Sequence, residues 1–423
     1  MRISRGIILG VLLGIFLLPG CARREKAGAD LPRIPVFLNS SLTNEMSDIR
    51  ELKPLDDSIL AFLDKWRING VSLAITRGDS LVYAKGYGWA DVEKKTEMRP
   101  DMTLRVASVS KLITAVGIMT LREKGMLSLD DKVFGKGGIL TQFNGCYTDR
   151  RYEQITVRHL LRHEGGFTCK VYDPLFYTVK LMKRYGFDRT PTGDQIIRIE
   201  LGRPLEFTPG TESEYSNLGY LLLVRIIEKV TGEDYEAWMQ RNVLRPAGCF
   251  DMHLGHNWYA DRLPSEPHYY PYKGDKPADS IAGDGEKVSR PYGGNDIEAL
   301  SGAGAWVAST PELARLVASI DGGGPVQDIL SRMSVDEMTA EVDSLTFPMG
   351  WINSDEHGVW WRTGTLSGTS ALIQHFPDGE CWIMVTNTSS NKGSRFTREI
   401  AALFEKSREE FSPLLPKRDL FHY

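Results

Sequence analysis

Cysteine is scarce in this chain, with five among 423 residues. No two of them form a CxxC, and none stands with histidine at zinc-like spacing, so neither a zinc module nor a dithiol redox centre is encoded. An HExxH helix is missing too. No Gly-x-Ser-x-Gly elbow occurs anywhere, which argues against an α/β-hydrolase. Neither sign of charge dominates: 51 Lys and Arg face 55 Asp and Glu, a net charge of −4. The chain therefore lacks a basic footprint for nucleic acid. Internal repeats are also absent, and the composition is that of an ordinary globular protein.

One apolar run stands out, at the start. Arg2 and Arg5 precede residues 6–18, and the run ends Leu18-Pro19-Gly20-Cys21. A basic start, a short apolar core and a small-residue end describe a secretory signal. The run is too short for a comfortable membrane span of about 20 residues. Its Leu-x-Gly-Cys ending resembles a bacterial lipobox, which implies that Cys21 carries lipid and becomes the mature N-terminus. The expected organisation is a lipoprotein signal over 1–21 and a polar tether over 22–50. A catalytic domain over 51–406 and a peripheral tail over 407–423 complete it. The length after Cys21 exceeds one typical core and suits a single catalytic unit of two lobes. The expected location is the periplasmic side of a bacterial cell envelope, anchored to a membrane through the lipid. Such a compartment permits disulfides. Cys146 and Cys169 flank an expected helix over 156–162 and are candidates to pair, whereas Cys381 sits in an apolar run and reads as a buried thiol.

Periodicity supplies the frame. Ile59, Phe62, Leu63 and Trp66 form one stripe of a helix over 56–66, closed by Asn69-Gly70. A hairpin follows over 71–76 and 81–89, with its turn at Arg77-Gly78-Asp79-Ser80. Far downstream, 366–376 and 380–387 read as a second hairpin around Pro377-Asp378-Gly379. A last amphipathic helix carries Phe396, Ile400, Leu403 and Phe404. The middle is helical and rich in loops. Two of these, 167–193 and 258–295, are long and aromatic, as binding loops often are. The pattern alone gives an α+β fold with a helical insertion.

Chemistry concentrates in Ser108-Val109-Ser110-Lys111, at the start of an apolar helical run. Residues three apart share a helix face, so Lys111 reaches the Ser108 hydroxyl. A serine attacks a carbonyl only when a neighbouring base takes its proton, and a desolvated lysine is such a base. Two further stretches stand downstream: Tyr215-Ser216-Asn217 and Arg362-Thr363-Gly364. In this order the three resemble the active-site signatures of the serine β-lactamase and penicillin-binding protein superfamily. The tyrosine in the second resembles the class C branch, which also holds D,D-carboxypeptidases, D-aminopeptidases and esterases. Residues 155–166 and 301–309 resemble two supporting stretches of that branch, and the likeness covers about residues 55 to 405.

The resemblance implies a β-lactamase/transpeptidase-like fold: an antiparallel sheet flanked by the terminal helices, beside a mainly helical lobe, with the site between. It implies Ser108 as nucleophile and Lys111 and Tyr215 as the proton-handling groups, without deciding which is the base. Asn217 bridges Lys111 and a substrate amide. Arg362, with Thr363 and Gly364, takes the place of the family's usual Lys-Thr-Gly. Its fork suits a substrate carboxylate, but a guanidinium that stays charged cannot shuttle a proton. Gly364 keeps the strand edge open. The N–H groups of Ser108 and Thr365 form the oxyanion hole. His159 and His163 are structural, and Trp360 and Trp361 pack on the sheet unless one of them floors the substrate groove. No metal or organic cofactor is implied. The expected activity is hydrolysis, through an acyl-enzyme, of β-lactams or D-amino acid peptides bearing a carboxylate, by a monomer. A small-ester esterase and a non-catalytic cell-wall peptide binding protein are the alternatives.

Overall fold

In the computed structural model, which describes residues 42–340 and 346–422, the first apolar stripe forms α1 (Lys53–Trp66). Pro54 stands in its first turn, where a missing N–H costs nothing. Arg67 closes the helix in the left-handed region, with φ 56°. The signal, Cys21 and most of the expected tether lie outside the described residues. Five further helices matter for the site: α2 (Ser110–Glu123), α3 (Val157–Leu161), α4 (Asn217–Thr231), α5 (Thr310–Ala318) and α6 (Phe396–Phe411).

The strands are β1 (Gly70–Arg77), β2 (Ser80–Asp91), β3 (Thr96–Glu97), β4 (Asn353–Ser354), β5 (Trp360–Leu366), β6 (Thr369–His375) and β7 (Glu380–Thr386). They form one sheet in the order β3-β2-β1-β7-β6-β5-β4, and neighbouring strands run antiparallel. Gly78 and Asp79, both at positive φ, make the tight turn between β1 and β2. The reading of 366–376 as one strand is corrected. Leu366 ends β5, the chain reverses at Gly368 with φ 87°, and Thr369 opens β6. A Cβ on Gly368 would lie 2.7 Å from that of Tyr269, so glycine serves both the turn and the close contact.

Both faces of the central strands are buried, and their residues alternate between two cores. Val71, Leu73, Ile75, Trp382 and Met384 pack against α1 and α6. Ala74, Ile383 and Val385 face the helical lobe, where Ser72 Oγ meets Thr310 Oγ1 of α5 at 2.7 Å. Full burial of one such apolar side chain contributes about 1.5–3 kcal/mol. A small second sheet joins Leu104–Arg105, Trp306–Ala308 and His253–Leu254. The fold is the expected α+β arrangement.

Two terminal segments are better packed than their polarity suggests. Leu420 and Phe421 are 2% and 3% exposed, so the stretch after 407 is not peripheral. Leu42 and Ser47 are buried as well, at the expected end of the tether. The outer edge of β2 explains both, because its backbone donors need partners. Asp419 Oδ1 accepts from Leu81 N at 3.0 Å, Ser47 Oγ from Ala84 N at 3.0 Å, and Asn44 Oδ1 from Gly86 N at 2.8 Å. The candidate disulfide is also corrected: Cys146 and Cys169 are free thiols, and Arg198 Nη1 lies 3.2 Å from Cys146 Sγ. Cys381 is buried as expected.

Candidate active site

Ser108 lies in a short turn, Ala107–Val109, directly before α2. Ala107 adopts a positive φ of 49°, a strained conformation for a residue with a side chain. Neighbouring strands pin the turn. Val106 N donates to Trp306 O at 3.0 Å, and Thr369 Oγ1 donates to Arg105 O at 2.8 Å. The loop 258–295 supports it from behind, where the Arg105 guanidinium stands over the buried ring of Tyr269 at 4.5 Å.

Lys111, the second residue of α2 and three residues beyond Ser108, is 0% exposed. Its ammonium donates to Asn217 Oδ1 at 2.5 Å and to Ala303 O at 2.6 Å. Ser108 Oγ lies farther away, at 3.4 Å. The 301–309 stretch thus enters the site through the Ala303 carbonyl. Burial lowers the Lys111 pKa, and the Arg362 charge adds to that.

Tyr215 and Asn217 flank the start of α4. Ser216 caps that helix, its Oγ accepting from Gly219 N at 3.1 Å. Tyr215 Oη donates to Ser108 Oγ at 2.7 Å. Arg362 Nη2 donates to the same phenol oxygen at 3.2 Å, and Lys111 Nζ stands 4.8 Å from the ring centre. Burial pushes the phenol up, but the charges of Lys111 and Arg362 outweigh it, and the net shift is downward. His163 braces the ring from the other side. Its Nδ1 accepts from Ser216 N at 3.1 Å, and its ring centre lies 4.7 Å from that of Tyr215. Burial holds this imidazole well below its ordinary pKa. His159 accepts from Thr156 N at 3.3 Å within the cap of α3. Both histidines are structural in this arrangement.

The third stretch falls on β5. Arg362 is 0% exposed. Its Nε donates to the Ser108 carbonyl at 2.8 Å, so its near edge is spent on Ser108 and Tyr215. A Cβ on Gly364 would stand 2.2 Å from Val106 O, which shows how closely this strand edge approaches the serine turn. Trp361 O accepts from Ile352 N outside β5. Because peptide groups alternate along a strand, the Thr365 N–H faces that same outer edge. Thr363 is not brought to the site. Strand alternation turns its side chain to the α6 face, in a groove with Trp361, Leu372 and Arg398. Trp361 packs on that face too, and Trp360 stacks on His375 with ring centres 4.4 Å apart.

The expected bridge from Asn217 to a substrate amide has a different second partner. Asn217 Nδ2 donates to Asp173 Oδ2. Asp173 comes from the aromatic loop 167–193, and sequence reading passes over it. Its one local signal is Asp-Pro, a cap for the turn Pro174–Phe176. Beyond it lies a cavity of about 270 Å³, lined among others by Cys169, Tyr172, Glu200 and Asn217.

The profile of the family described as Beta-lactamase matches residues 55–405. Penicillin-binding protein 4* of Bacillus subtilis (strain 168) is 26% identical over 328 residues, covering 74% of this chain and 67% of that protein. The chain spans 62% of the length of other curated relatives that it matches. Among solved structures, the octameric penicillin-binding protein homologue from Pyrococcus abyssi aligns with a TM-score of 0.64 at 22% identity, over 87% of this chain and 78% of that one. The D-amino acid amidase from Ochrobactrum anthropi SV3 aligns with a TM-score of 0.65 at 20% identity, over 86% of this chain and 98% of that one. At these identities the structural likeness bears on the fold.

Proposed function

The chain belongs to the beta-lactamase family of serine hydrolases, and we propose that it acts through an acyl-enzyme on Ser108. The observation that carries this reading is the 2.7 Å contact between Tyr215 Oη and Ser108 Oγ, with two buried cations beside the phenol. In this mechanism Tyr215, as phenolate, takes the Ser108 proton while Oγ attacks the substrate carbonyl. The Lys111 and Arg362 charges hold the phenolate. The oxyanion rests on the N–H groups of Ser108 and Thr365. Tyr215 then passes its proton to the leaving group, and water repeats the attack on the acyl-enzyme. A hydroxyl, phenol and ammonium arranged this way favour catalysis over simple peptide binding.

Arg362 supports a reading of the substrate class. A guanidinium that is 0% exposed and bonded through Nε and Nη2 to Ser108 and Tyr215 serves the phenolate first, and its Nη1 is buried without a hydrogen-bond partner. That favours esters and amides recognised without a free carboxylate over carboxylate-bearing β-lactams and D-amino acid peptides. The likeness to a D-amino acid amidase keeps amides within the class. Arg362→Met should therefore depress kcat/KM on a neutral p-nitrophenyl ester and on a carboxylate-bearing β-lactam by similar factors. Loss confined to the β-lactam would restore the carboxylate reading.

Lipid anchoring at Cys21, with the domain held as a monomer on the periplasmic side of the membrane, completes the proposal. Metabolic labelling with a fatty-acid analogue should mark wild type and spare Cys21→Ser. Equal labelling would remove the anchor from it. Sedimentation of Cys21→Ser tests the monomer, since one structural neighbour is octameric.

A further inference from the structure

Lys111 is a buried ammonium that needs oxygen atoms around it, and one of its two closest acceptors is the amide of Asn217. An amide has an acceptor end and a donor end of nearly equal shape, so the surroundings decide which end faces a partner. Turned over, Asn217 would set an NH₂ against an ammonium, two donors with no acceptor between them. Asp173 prevents this. Asn217 and Asp173 are 6% and 9% exposed, so water offers little alternative to either. The Asp173 carboxylate accepts from Asn217 Nδ2 through one oxygen and from Leu175 N through the other, at 3.1 Å. Burial raises the Asp173 pKa, and the Asn217 and Leu175 hydrogen bonds and the Lys111 charge oppose it; in its ionised form the carboxylate only accepts, and it admits only the donor end of the amide.

We propose that Asp173 is a positioning residue that locks the Asn217 oxygen onto Lys111 and so keeps the ammonium charge beside Tyr215. The proposal rests on the Ser108 reading above. Asp173 touches no reacting atom and acts through the orientation of one amide. The aromatic loop 167–193 thereby reaches the chemistry through Asp173, and losing that contact leaves Lys111 the Ala303 carbonyl as its fixed acceptor.

The test compares Asp173→Ala with Asp173→Asn. Both remove the same charge, but asparagine keeps an oxygen that can receive Asn217 Nδ2. Protein labelled with carbon-13 at lysine Cε is titrated by NMR, with Lys111→Arg identifying the Lys111 signal. Lys111 should titrate about one pH unit lower in Asp173→Ala than in Asp173→Asn. Acylation by a neutral p-nitrophenyl ester should fall roughly tenfold to hundredfold in Asp173→Ala and be largely rescued in Asp173→Asn. Equal Lys111 titrations in the two variants would overturn the proposal, since the effect would then be one of charge alone. A wild-type titration in Asp173→Ala would overturn it as well. Failure of the underlying reading looks different: wild-type protein would carry no acyl adduct on Ser108, whatever the NMR titrations show. Melting curves of both variants report whether the cap of the Pro174–Phe176 turn has been lost.

Discussion

Tyr215 Oη lies 2.7 Å from Ser108 Oγ, nearer than the Lys111 ammonium, which stands 3.4 Å away and is held by two other oxygens. In the proposed mechanism the phenol is the base and the lysine its counter-charge. Acylation should rise with pH as Tyr215 loses its proton, along a limb below the ordinary phenol range near 10. It should fall again as Lys111 deprotonates, below the usual lysine range. Arg362→Met removes one stabilising charge, raises the phenol pKa and moves the first limb to higher pH, whereas Arg362→Lys holds it near wild type. Profiles of kcat/KM on a neutral ester check this. A limb that stays in place in Arg362→Met would separate Arg362 from the phenolate.

Gly364 lets β5 lie against the serine turn. In Gly364→Ala the new methyl meets the Val106 carbonyl, which is backbone and cannot rotate away. The turn or the strand must shift. Overpacking of this kind costs about 1–3 kcal/mol, while acylation should drop by orders of magnitude because the nucleophile and its oxyanion donors move apart. Thermal melts and burst kinetics on one preparation separate the two effects. An alanine variant with normal kinetics would show that the close approach has no role.

Asp79, in the β1–β2 turn, is buried and receives Val326 N at 3.1 Å. Burial, then the charge of Asp321, raises its pKa from 3.8 to about 7. A carboxyl raised on folding adds stability that is complete below its ordinary pKa and is lost as pH climbs through the raised one. Stability should therefore decline between about pH 4 and pH 7 through this group. Asp79→Asn keeps an acceptor for Val326 and cannot ionise, so its melting temperature should fall less over that window than that of wild type. Parallel curves would mean that Asp79 does not carry the pH dependence.

The sequence shows what is periodic or contiguous. The terminal helices and the first hairpin follow from stripes and alternation. Ser108, Lys111, Tyr215, Asn217 and Arg362, read from three short stretches, converge in space. What it hides depends on contacts between distant residues. Asp173 looks like a turn cap until the fold brings Asn217 to it. Thr363 looks like part of a binding triplet until strand alternation turns it to the other face. The 407–422 stretch reads as a polar tail because its role, which includes capping Leu81 N on the edge of β2 through Asp419, belongs to the sheet and leaves no pattern in the chain. The residue type of Arg362 is visible in the sequence, whereas its burial against Ser108 and Tyr215 is not.

The most direct test of the central claim is intact-protein and peptide mass analysis after a brief pulse of p-nitrophenyl ester, on wild type and Ser108→Ala. The account predicts one acyl group per wild-type chain, mapped to Ser108, released with the kinetics of turnover, and neither adduct nor turnover in Ser108→Ala. Turnover retained by Ser108→Ala, or an adduct that maps to another residue, would contradict it.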